Sequence, residues 1–136
     1  MNPLRILYVE DNPDIRDALS ELIGVDGHVV HACANGEEAL RAFEAQTFDV
    51  LITDVSLPGL SGPDLARRVL STQPRHWVVF CSGYELGHGL AALGPNVRSS
   101  SKAAEPDVML RLLSEIQTVI EAEAAHASPP SGDSPA

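Results

Sequence analysis

Residues 51–62, "LITDVSLPGLSG", carry an apolar run into one aspartate and then into a turn rich in proline and glycine. A carboxylate beside a core is costly unless something pairs with it. Asp54 therefore either caps the turn that follows or is a reactive group held at the mouth of a site. The choice rests on what the other apolar runs deliver beside it.

Such runs recur at Leu4–Val9, Val29–Ala34 and Trp77–Cys81, with a weaker one near Val97–Ser100. Three of the five read as continuous rather than alternating, as central parallel strands covered on both faces do. Amphipathic stretches lie between them. Ile15, Leu19, Leu22 and Ile23 make the first stripe, with Asn12 as N-cap and Pro13 at the first helical position. Asn35-Gly36 precedes Ala39, Leu40 and Phe43, and Ser61-Gly62-Pro63 opens onto Leu65, Val69 and Leu70. A further helix starts near Pro106 with Met109, Leu112, Leu113, Ile116 and Ile120 on its buried face. Residues 84–93 are a weak helix, because Gly87 and Gly89 each cost about 1 kcal/mol relative to alanine. "NVRSSSK" suits an edge strand. The alternation predicts an α/β fold on a parallel sheet.

The chain has 136 residues, enough for one domain with a real core, expected over 1–125 with a tail or linker over 126–136. Its formal charge of -10 argues against direct nucleic-acid binding, which needs a basic face. The start lacks the shape of a secretory signal, and a cytoplasmic location is the default expectation. Cys33 and Cys81 form no C-x-x-C pattern and read as buried, reduced and structural. Trp77, at the start of its strand, reads as packing. His28, His31, His76, His88 and His126 show no ligand spacing and are expected to be exposed or at an edge. Arg67, Arg68 and Arg111 are expected to face solvent.

Ligands of open parallel sheets bind beyond the carboxyl ends of the strands. The runs end there in Glu10-Asp11, Asp54, Ser82 and Lys102. Clustered carboxylates repel, so protons or a cation must relieve them. A hard cation such as Mg2+ takes carboxylate oxygens and keeps positions open for phosphate. Asp54 would then be a nucleophile, with Ser82 donating a hydrogen bond and Lys102 a point charge to phosphoryl oxygens.

Together "LYVEDNPDIRDAL", "FDVLITDVSLPGLSGPDLARRV" and "VVFCSGY" resemble the receiver domain of two-component response regulators over roughly residues 4–121. That resemblance implies a doubly wound five-stranded fold, flavodoxin-like, with strand order 2-1-3-4-5. It implies that Asp54 accepts phosphate from a histidine kinase or a histidine phosphotransfer protein. Glu10, Asp11, Asp54 and the backbone carbonyl of Ser56 would surround Mg2+. The strand order would keep Cys33 and Cys81 about 14 Å apart, beyond disulfide reach. The output would be phosphorylation-dependent binding of a partner protein by a monomer or a phosphorylation-dependent dimer, without turnover of a substrate.

Two positions depart from the family pattern. Ala103 follows Lys102 where the family usually has proline, and Ser99 stands where it usually has an aromatic residue. Without that aromatic, phosphorylation is expected to order residues 82–93 instead, and Tyr84 to shield the phosphoryl group. A receiver of a hybrid kinase and a phosphate sink with weakened switching are the alternatives. A phosphatase with an aspartate nucleophile fits less well, because Ser56 stands where that chemistry wants a second aspartate. A flavin or nucleotide binder would want a Gly/Ser/Thr-rich loop where "VEDNPD" stands.

Overall fold

The computed structural model describes residues 3–82, 92–101 and 106–127. Five strands form one parallel sheet in the order β2-β1-β3-β4-β5. They are β1 (Arg5–Val9), β2 (Val29–Cys33), β3 (Val50–Asp54), β4 (Trp77–Ser82) and β5 (Val97–Ser101). Four helices are described: α1 (Pro13–Val25), α2 (Gly36–Ala45), α3 (Gly62–Thr72) and α4 (Pro106–Ala127). Of the weak helix expected over 84–93, residues 84–91 lie outside the described residues, and Ala92 and Leu93 form a turn.

The continuous apolar runs become the sheet's interior because helices cover both faces. Leu7, Val9, Leu51, Val78 and Phe80 point toward α2 and α3, where Ala39, Leu65, Ala66 and Val69 close over them. Ile6, Tyr8, Val50, Ile52, Trp77 and Val79 point to the other side, packed by Ile23 of α1 and by Met109, Leu113 and Ile116 of α4. The strand period of two divides each run between two cores. The expected stripes of α3 and α4 are the ones that pack.

Several expectations need correction. The run at 29–34 lies at the sheet's edge, as the strand order 2-1-3-4-5 implies, and Val29 there is 55% exposed although it opens an apolar run. Ile15 is 41% exposed, so the stripe of α1 buries Ile23 fully and leaves its first turn in solvent. His28 and His76 are buried rather than exposed. His28 Nδ1 accepts the Leu4 N–H at 3.0 Å. His76 meets Phe43 edge to face, with ring centroids 5.4 Å apart, and its Nδ1 lies 3.2 Å from Gln73 Oε1. His31, on the edge strand, is exposed as expected.

The helix starts follow their local signals. Asn12 Oδ1 accepts the N–H groups of Asp14 and Ile15 at 2.9 and 3.1 Å. Asn35 Oδ1 accepts that of Glu38 at 2.8 Å, and Ser61 Oγ that of Asp64 at 3.2 Å. Each cap satisfies a backbone donor with no partner inside its helix. Because each of these helices follows a strand, all three begin at the sheet's carboxyl end. Acidic groups are favoured there by the helix dipoles.

A candidate metal centre at the carboxyl rim

Register and pleat decide what gathers at this rim. Ile52 pairs with Tyr8 and Val79, and Asp54 pairs with Cys81. Asp54 therefore continues the alternation Val50, Ile52 on the α1/α4 side, and Glu10 continues Ile6, Tyr8 on the same side. The ladder reaches one residue past each strand, through Glu10 N–H to the Cys33 carbonyl (3.1 Å) and Val55 N–H to the Cys81 carbonyl (3.2 Å). One carboxylate oxygen from each of Glu10, Asp11 and Asp54 lies within 4.8 Å of the others.

Two of these acids are deeply enclosed. Glu10 is 1% exposed and Asp54 7%, while Asp11 stands in solvent. The backbone holds the group in place. Glu10 Oε2 accepts the Asn12 N–H at 3.0 Å, and Arg16 Nη1 donates to the Glu10 carbonyl at 2.8 Å. Thr53 Oγ1 donates to the Asp54 carbonyl at 3.0 Å. The loop after β3 folds tightly back, with the Gly62 N–H donating to the Val55 carbonyl at 3.2 Å. A Cβ at Gly62 would run into the Asp54 carbonyl oxygen, so glycine is required where α3 starts.

The enclosure is felt by Tyr8, two residues before Glu10. Burial, followed by the charges of Glu10, Cys81 and Asp54, pushes its phenol well above the usual value, and Arg16 partly opposes this. In sequence Tyr8 is merely one more apolar strand residue. Its place beside the acids shows only once the strands are in register.

Buried like charges with oxygen donors suit a hard divalent cation. Glu10, Asp11 and Asp54 fit Mg2+ in donor type and spacing. Ser56 is exposed in the loop just beyond Asp54, and Ser82 ends β4, where its backbone pairs with Ser101 beside the rim. Lys102, Tyr84 and Ala103 lie outside the described residues, as do 83–91 of the segment expected to respond. Ser99 pairs with Phe80 in β5 and is exposed. Cys33 faces the α2/α3 core and Cys81 the α1/α4 core, so both are buried thiols outside any disulfide, on opposite sides of the sheet.

A five-stranded sheet wound in this order, with acids at its carboxyl rim, defines a doubly wound α/β domain with a candidate metal centre. The response regulator receiver domain model matches residues 6–96, and the chain belongs to that family. It is 36% identical over 115 residues to the transcriptional activator protein ExaE of Pseudomonas putida, covering 82% of this chain and 54% of that protein. It is 29% identical over 119 residues to the response regulator receiver protein CpdR of Brucella abortus, covering 85% of this chain and 96% of that one. The crystal structure of the receiver domain from the hybrid histidine kinase CckA is similar with a TM-score of 0.71 and 32% identity, over 82% of this chain and 97% of that one. Four curated relatives, ExaE among them, are longer proteins, of which the chain spans between 9% and 54%. No helix among the described residues is long and apolar enough to cross a membrane.

Proposed function

We propose that this receiver takes a phosphoryl group onto Asp54 from a phosphohistidine of a histidine kinase or phosphotransfer protein. It then signals by changing which partner protein it binds. The observation that carries this reading is the convergence of three carboxylates within 4.8 Å, two of them buried, at the ends of adjacent strands. Without a counter-charge such a cluster is unfavourable.

In the proposed reaction an Asp54 carboxylate oxygen attacks the phosphorus. The P–N bond breaks as the O–P bond forms, and the departing imidazole takes up a proton. The product is a mixed anhydride, which water later cleaves to aspartate and inorganic phosphate. Glu10, Asp11, Asp54 and the Ser56 carbonyl would hold Mg2+, which supplies positive charge to the phosphoryl oxygens when bound. Ser82 donates a hydrogen bond to one phosphoryl oxygen and Lys102 a point charge to another. Burial of Asp54 limits the access of water to the anhydride.

Acetyl phosphate with Mg2+, followed by intact-mass analysis, tests the reading. Wild type is expected to gain one phosphoryl group and Asp54→Asn none. Uptake that persists in Asp54→Asn, or no uptake by wild type, overturns it. The likeness to the receiver of a hybrid kinase supports a second reading, in which this domain relays phosphate within a longer protein.

A further inference from the structure

Two neighbouring glutamates at the start of α2 do different work. Glu38 serves its own helix: its backbone is capped by Asn35, and its Oε1 accepts the Ala34 N–H at 3.1 Å. Glu37 reaches across 23 residues to the loop after β3, where its Oε2 accepts the Leu60 N–H at 3.0 Å. Successive helical residues point in different directions, which separates the two roles.

The chain on both sides is shaped to this contact. Gly59 has φ +72°, and a Cβ there would lie 2.7 Å from Glu37 Oε2. A Cβ on Gly36 would lie 2.7 Å from the Leu60 carbonyl oxygen. The loop is thus fastened at its base, where Gly62 closes on Val55, and at its tip, where α2 holds Leu60. Ser56, Leu57 and Pro58 lie between the two fastenings, with Leu57 half-buried against the α2/α3 core.

We propose that Glu37 is a positioning residue for the metal centre. Its hydrogen bond to Leu60 holds the loop so that the Ser56 carbonyl is set before the cation arrives. This rests on the receiver chemistry proposed above and adds a residue from outside the acidic cluster. Ordering the loop beforehand spares the cation that cost, so loss of the clasp weakens binding rather than the chemical step. Because the acceptor oxygen is what counts, glutamine can stand in for glutamate.

The experiment compares wild type, Glu37→Gln and Glu37→Ala in Mg2+ titrations followed by amide chemical shifts, with the acetyl phosphate rate measured over the same Mg2+ range. One such hydrogen bond corresponds to roughly a three- to tenfold loss of Mg2+ affinity in Glu37→Ala. The rate at saturating Mg2+ is expected to return to the wild-type value. Glu37→Gln is expected to bind Mg2+ as wild type does, and Leu60 amide protection to fall only in Glu37→Ala. Unchanged Mg2+ affinity in Glu37→Ala overturns the proposal, whatever happens to thermal stability. Equal losses in both variants overturn it too, since charge alone would then be responsible. If wild type binds Mg2+ but takes no phosphate, the receiver reading fails while the clasp is still judged by the titration.

Discussion

The two ends of the sheet bury polar groups by opposite means. At the amino end His28 and His76 are enclosed as rings, one accepting a backbone N–H and the other beside Gln73 and Phe43. Asp49 there accepts the Arg5 N–H at 2.8 Å, which ties the start of β1 to the residue before β3. At the carboxyl end Glu10 and Asp54 are enclosed together with Asp11 close by, all of one sign. The amino end encloses neutral rings, of which His76 keeps one buried nitrogen, Nε2, without a hydrogen-bond partner. The carboxyl end gathers oxygen donors of one sign in a group that could hold a cation, and that makes it the candidate site.

The largest contrast is steric. Gly62→Ala at the carboxyl end would force a methyl into the Asp54 carbonyl, and is expected to destabilise by about 3 kcal/mol or more. Gly94→Ala at the amino end would place its Cβ 3.3 Å from the Pro74 carbonyl oxygen, a contact that small shifts relieve. Equal denaturation midpoints for these two variants would break the comparison.

Next comes ion linkage. A cation that binds only the folded chain adds about 2.7 kcal/mol at a hundred times its dissociation constant. Mg2+ is therefore expected to raise the melting temperature of wild type well above its value in EDTA, with much of the gain lost in Asp11→Asn. The same stabilisation in both would place the ion elsewhere.

The smallest effect belongs to the amino end. Burial holds the His76 ring below its ordinary pKa, and Asp49 opposes this only in part. The unfolded chain then takes up a proton first as pH falls. This contribution is whole above about pH 6.5, the ordinary histidine value, and is lost as pH drops toward the folded-state value. His76→Gln is expected to flatten that part of the stability curve, read by urea denaturation between neutral and mildly acid pH. Superimposable acid limbs would remove the role given to His76.

Features written locally were legible in the sequence. Asn12 caps α1 as read, α2 and α3 begin at Asn35-Gly36 and Ser61-Gly62-Pro63, and the α4 stripe packs as its spacing suggests. The gathering of Glu10, Asp11 and Asp54 was legible for a different reason: a parallel sheet brings strand ends together whatever lies between them. What stayed hidden depends on partners far along the chain. His28 is buried against an amide 24 residues away, and Glu37 finds its partner 23 residues away. Ile15 matches the helical period but belongs to the first turn of α1, beyond the reach of the core.

The placement of the two thiols has a practical consequence. Cys33 looks into one helical layer and Cys81 into the other, with the whole thickness of the sheet between them. Burial, reinforced by Glu38, raises the Cys33 thiol to about 11 against the pull of Arg16 and Arg41, so little thiolate exists near neutrality while the fold is shut. Alkylation at each sulfur consequently times the opening of its own layer, giving two internal clocks, one per face, without a single engineered label.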